Sequence, residues 1–289
     1  MLNEDTKTYS AEQMALELQK LGSSISVSSD IDGLNFTVQS LKKNLDKTLS
    51  LLEERMFQPR FTQDAFSRLQ KQSLEGFKQM KSQPAAVAGM VWDKINYGPG
   101  NILGMSENGT EATVKNLSLP DVQKYYDTYM TSQGTDVVVV GDITQAEIEP
   151  KLAFLKKLPN RKTDLPKPGP APKIDKTRIY LVDVPKAAQT EFRVGYVTGL
   201  KYDATGEYYR AGLMNYPLGG SFNSILNTNL REVKGWTYGA RSSFSGDEYT
   251  GEFTFSSGIR SDATDSALAD ILRDMKAYAD NGIKPEDLA

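Results

Sequence analysis

Residues 226–240 read LNTNLREVKGWTYGA. LNTNLREVKG is expected to form a helix that Gly235 ends, since glycine enters the left-handed backbone of a helix stop without steric cost. The run that follows, WTYGARSSFSGDEYTGEFTFSSG (236–258), reads as a hairpin, with Tyr249, Phe253 and Phe255 expected on one strand face. Arg231 falls at the helix end, where a cation complements the dipole. Tyr238 falls in a strand, where an aromatic normally packs. Each residue therefore has an ordinary structural reason to be present, and local physics alone does not make the pair a site.

The same grammar occurs earlier in the chain. Ser10 with Gln13 has the form of a capping box, and Met14, Leu18 and Leu21 follow at helical spacing. Ile25 and Val27, a turn at Asp32-Gly33, then Leu34, Phe36 and Val38 alternate as a hairpin. Leu45, Leu49, Leu52 and Met56 mark an amphipathic helix that Pro59 stops, and a second helical stretch covers 62–80. Near the other end, Leu268, Ile271, Leu272 and Met275 form a closing helix, with Gly282 as its stop. Helix, hairpin and helix thus occur twice. The fold class expected is α+β, with two related domains, each an antiparallel β-sheet packed with helices.

Between the repeats, DVVVVGD (136–142) reads as a short buried-type strand, and Thr144 with Glu147 opens a helix tempered by Pro150. RIYLVDV (178–184) and TEFRVGYVTG (190–199) alternate as strands. The segment 158–176, LPNRKTDLPKPGPAPKIDK, carries five prolines and reads as an extended linker. The boundaries drawn are a first domain at 1–158, a Pro-rich linker at 159–176 and a second domain at 177–289. KPEDLA (284–289) has the look of a first helical turn, so the second domain is expected to be truncated.

Composition narrows the chemistry. The 289 residues carry a net charge of −3 with the basic residues dispersed, which argues against a nucleic-acid partner. No apolar run approaches the roughly 20 residues of a membrane span. The polar start MLNEDTKTYS lacks a signal-peptide pattern. The chain has no histidine and no cysteine. That excludes a Ser-His-Asp triad, a thiolate nucleophile, an imidazole base and the usual zinc ligands from these residues. Asp30 and Asp32 beside Gly33 lack the glycine and glutamate spacing of a calcium loop and read as a hairpin turn. The glycines of YGPGNILG (97–104) neither follow a strand nor precede Gly-Lys-Ser/Thr, so they read as a loop. The N-x-S/T triplets at Asn35, Asn108 and Asn116 are of a kind that arises by chance. Glu53, Glu54 and Glu75 read by themselves as solvated helix faces.

Three segments together resemble one family. LGGSFNSILNTNLREVKGWTYGARS (218–242) is similar to the motif region of the C-terminal domain of M16 (insulinase or pitrilysin-like) zinc metallopeptidases. MLNEDTKTYSAEQMALELQKLGSSISV (1–27) resembles the segment after the metal-binding helix of the N-type domain. SENGTEATVKNLSLPDVQKYYDTYMTSQGTDVVVVGDIT (106–144) resembles the closing part of that domain. The resemblance implies that the first domain is zinc-less and lacks its first strands and helix. Catalytic halves of the family bind zinc through an inverted His-x-x-Glu-His motif and a distal Glu. The motif would fall just before Met1, and Glu75 would be a metal ligand only if it stands there. MLNEDT and QKQSLEGFKQMKSQP are more similar to the non-catalytic halves, which use the domain as scaffold.

Family members also carry an Arg and a Tyr seven residues apart, facing the zinc across a clam-shell cavity, and Arg231 and Tyr238 match both types and spacing. The resemblance therefore implies a non-catalytic half of a zinc peptidase. It supplies Arg231 and Tyr238 to the substrate carbonyl, holds no cofactor itself, and works with a zinc-bearing catalytic half on peptides. A location in the bacterial periplasm or cell envelope follows from the family alone, with the cytoplasm as the other compartment. Two alternatives stand beside it: a self-sufficient zinc endopeptidase whose motif lies upstream, and a scaffold protein of the same fold without peptidase activity.

Overall fold

The computed structural model describes residues 1–285, and the chain forms two compact units. The first comprises Met1–Gly76 and Glu107–Pro166; the second comprises Phe77–Ser106 and the residues from Lys167 onward. The expected turn at 284–289 falls largely outside the described residues.

In the first unit, helix α1 (Ala11–Leu21) opens on the capping box, the Ser10 amide donating to Gln13 Oε1 at 2.9 Å and the Gln13 amide to Ser10 Oγ at 3.2 Å. Strands β1 (Ser24–Asp30) and β2 (Gly33–Gln39) pair antiparallel, with Asp30 opposite Gly33. The Asp30 carboxylate accepts the Asp32 and Gly33 amides, so the acidic pair closes a turn. Helix α2 (Leu45–Phe57) buries Leu49, Leu52 and Met56 against Met14, Leu18 and Ile25. Glu54 does more than face solvent: its Oε1 accepts the Thr8 amide at 2.9 Å. Burial alone would raise its carboxyl, and bonds from the Thr8 amide and the Thr8 and Thr6 hydroxyls outweigh that and hold it below the ordinary range. Most of helix α3 (Gln63–Met80) belongs to this unit; α4 (Pro84–Tyr97) belongs to the second, and the chain returns to the first with α5 (Glu111–Asn116), α6 (Leu119–Tyr129) and α7 (Gln145–Ile148). A 3₁₀ run (Glu149–Lys157) continues from α7.

Two expected strands are absent from the sheets. Residues 136–142 and 178–184 are extended without ladder partners among the described residues. Val138 and Val140 are 83% and 91% exposed, and Leu181 is 91% exposed. The apolar character was read correctly, but a strand also needs neighbours to take its backbone hydrogen bonds, which a local pattern does not provide.

The second unit repeats the order. Its sheet runs β3 (Gln189–Val197), β5 (Gly251–Arg260), β4 (Ala240–Gly246), all antiparallel. Phe255 and Ile259 of β5 are fully buried against Leu226, Leu230 and Ile271, the last on α10 (Thr264–Asn281). Tyr249 does not share the strand face of Phe253 and Phe255. It lies in the turn before β5, where Asp247 Oδ1 accepts the Tyr249 and Thr250 amides, each at 2.7 Å. Helix α8 (Glu207–Asn215) is tied to β4 by the buried Asn215, which donates to the Ser242 carbonyl at 2.7 Å and accepts its hydroxyl at 2.6 Å. Gly219 follows closely on β4, and a Cβ there would stand 2.6 Å from the Ser242 amide nitrogen.

Helix α4 packs on β3 within this unit, and Trp92 Nε1 donates to Glu252 Oε2 of β5 at 3.0 Å. Burial, and then the neighbouring Glu252 carboxylate, push the Asp93 carboxyl above its ordinary range. Because its folded value lies above the unfolded one, its contribution is complete below pH ~4 and is lost as pH rises through the folded value. Asp93→Asn is expected to raise the melting temperature at pH 7 by on the order of 1 °C. Paired melts between pH 3 and pH 8 should show that difference shrinking toward zero at the acid end.

Candidate functional site

The helix of the opening stretch is short and irregular. One α-turn, α9 (Ile225–Asn227), continues into a π-helical turn (Thr228–Val233). Leu226 and Leu230 are fully buried and fix its inner face. The Lys234 amide reaches back five residues to the Asn229 carbonyl at 3.0 Å, and the Gly235 amide donates to the Arg231 carbonyl at 3.1 Å. Gly235 has φ 62°, the left-handed stop expected of it. Arg231 therefore lies in the last turn, as the dipole argument requires. Its guanidinium turns aside, with Cζ 4.5 Å from the centroid of the Phe222 ring and Nη1 donating to Glu232 Oε1 at 2.8 Å.

Tyr238 is not in a strand. Strand β4 begins two residues later, and Tyr238 occupies the apex of a turn closed by Thr237. Thr237 Oγ1 donates to the Gly239 carbonyl at 2.9 Å and accepts the Gly239 amide at 3.0 Å. The buried Ser257 hydroxyl of β5 stands 3.0 Å from Thr237 Oγ1 and 2.9 Å from the Gly239 carbonyl, pinning the turn from below. The result is a phenol that is 93% exposed, with no hydrogen-bond partner among the described residues. The packing role expected of an aromatic is absent: the ring faces water on a backbone held firmly in place.

One buried side chain joins the two halves of this arrangement. Asn227 is only 4% exposed; its Nδ2 donates to the Phe222 carbonyl at 2.6 Å and its Oδ1 accepts the Ala240 amide at 2.9 Å. It thus ties the loop beneath Arg231 to the first residue beyond the Tyr238 turn. Neither Asn227 nor Ser257 was singled out from the sequence, because their partners lie in other elements. A polar residue one place from the buried Leu226 was the available signal.

Glu75 is exposed on α3 in the first unit, and Arg231 and Tyr238 belong to the second. Among the described residues no three His, Cys, Asp or Glu side chains are gathered to hold a metal ion. With neither imidazole nor thiolate in the chain, these residues do not fit a zinc centre. The arrangement presents two groups to solvent, a guanidinium that donates hydrogen bonds and a phenol that can donate or accept them.

Comparison with known proteins gives the family and the fold. Residues 116–289 match the Peptidase M16 inactive domain, and residues 1–96 match the insulinase (peptidase family M16) domain. The chain belongs to the M16 peptidase family. It is 22% identical to a Bacillus subtilis protein described as an uncharacterized zinc protease, YmxG, over all of this chain and 69% of that protein. It is 26% identical to a Helicobacter pylori protein described as a non-peptidase homolog, YmxG, over 85% of this chain and 56% of that one. A solved M16 inactive domain from Pseudomonas fluorescens superposes with a TM-score of 0.89 at 23% identity, covering all of this chain and 69% of its own. The fold expected from the resemblance, α+β with antiparallel sheets, is the fold these relatives share.

Asn227→Leu leaves the fully buried Ala240 amide and the Phe222 carbonyl unpaired, and is expected to cost about 1–3 kcal/mol in urea unfolding. Asn227→Asp keeps the acceptor for Ala240 but sets a carboxylate oxygen against the Phe222 carbonyl at a buried position, so at pH 7 it should cost at least as much as Asn227→Leu.

Proposed function

We propose that this chain is the non-catalytic half of a two-part M16 peptidase, working with a zinc-bearing half on peptide substrates. Arg231 and Tyr238 donate hydrogen bonds to the carbonyl of the bound peptide and to the negative charge that develops on its oxygen. The chemistry suits the groups: both present polar hydrogens from a fixed backbone, the guanidinium as a planar fork of N–H donors. The observation that carries the reading is the 93% exposure of Tyr238 on a turn secured by Thr237 and Ser257. A large aromatic held in water without packing has no role in stability, and a free phenol is what a substrate-binding donor requires. The matched inactive domain supports the division of labour. No described helix is long and apolar enough to cross a membrane; placement in the bacterial cell envelope belongs to this reading and is tested by fractionation.

A second reading has its own observation. The Helicobacter relative is described as a non-peptidase homolog, which favours a scaffold of the same fold that binds a partner without assisting hydrolysis.

Turnover separates them. In the assembly with the zinc-bearing half, Tyr238→Phe, which deletes a donor, and Arg231→Lys, which replaces the planar N–H fork by a point charge, are each expected to lower kcat/KM by about 100-fold, corresponding to about 3 kcal/mol. Tyr238 is exposed and Arg231 half-buried outside the core, so the melting temperature should stay within about 1 °C. Unchanged peptide turnover in both variants would select the scaffold reading.

A further inference from the structure

Arg231 has a long side chain with several rotatable bonds, and a donor that acts on one carbonyl must be held in one place. On the helix itself its polar contact is the exposed Glu232 carboxylate, a mobile partner that does not fix it. The remaining fixed neighbour is Phe222. Its ring is 63% exposed and lies under the guanidinium at 4.5 Å. An exposed phenylalanine contributes little to a core, so burial does not account for this one. Its backbone is anchored, because its carbonyl accepts from the buried Asn227 at 2.6 Å. Stacking on one face of the guanidinium leaves the in-plane N–H groups unobstructed, and Glu232 occupies only Nη1.

We propose that Phe222 is a positioning residue for Arg231: its ring is the shelf on which the guanidinium rests, with its remaining donors directed outward to peptide. The proposal rests on the reading of Arg231 as a peptide-binding group. It assigns to Phe222 a part in turnover exerted wholly through Arg231, with no contact of its own to the scissile bond.

Two measurements test it. In the isolated chain, the side-chain NH resonance of Arg231, assigned by its loss in Arg231→Lys, should carry an upfield ring-current shift. Phe222→Leu should abolish that shift and Phe222→Tyr should preserve it. In the assembly with the zinc-bearing half, with a quenched fluorescent peptide as probe, Phe222→Leu should lower kcat/KM by about two- to fivefold, the range of an exposed cation–π contact. Phe222→Tyr should restore the rate, and Phe222→Leu should add no further loss in the Arg231→Lys background. Either a ring-current shift that survives Phe222→Leu, or a rate loss that persists undiminished in the Arg231→Lys background, overturns the positioning role. Unaltered turnover in Arg231→Lys overturns the functional reading of the arginine and the role of Phe222 with it, even if the stack itself is seen by resonance. The two failures are therefore told apart by which variant is silent.

Discussion

The buried carboxamide of Asn227 is the constraint on which the site depends. A buried amide without partners is costly, so a residue that satisfies both ends of its side chain on two separate segments locks those segments together. Here one end holds the Phe222 carbonyl and the other holds the Ala240 amide. Because Asn227 itself stands on the helix, between the buried Leu226 and the π-helical turn, loop, helix and strand acquire one fixed relation. Arg231 and Tyr238 occupy the two ends of what is thereby fixed. Their seven-residue spacing is consequently more than a distance along the chain. It spans a left-handed stop at Gly235 and a hydroxyl-closed turn at Thr237, both of which are determined by backbone bonds.

The repeated helix, hairpin and helix was legible in the sequence because its signals are local. Ser10 and Gln13 recognise each other across three residues, Leu49 and Met56 share a helix face by their spacing, and Gly235 ends its helix by its own backbone freedom. The failures have a common cause as well. Residues 136–142 and 178–184 have the composition of strands, yet pairing is decided by chain far away. Tyr249 left its expected face because Asp247 captured two amides and made a turn of it.

The candidate site was legible in part. The family spacing singles out Arg231 and Tyr238 as candidates, but it does not reveal their surroundings. Tyr238 was assigned to a strand, and its display on an exposed turn depends on Ser257, a residue of a different strand. Phe222 and Asn227 act through neighbours that only the folded chain brings within reach. Polar and aromatic residues in a helix-like or loop-like pattern carry no local mark of such partnerships.

The exposed apolar runs VVVV (137–140) and IYLV (179–182) have a consequence for the chain in solution. Natural sheets cover or blunt such edges, because apolar β-branched segments with open backbone groups act as templates for like segments. A chain that displays Val138, Val140 and Leu181 to water in this way carries two adhesive strips. Association between copies that rises with concentration is the expected result, and the modest net charge of −3 offers little repulsion against it.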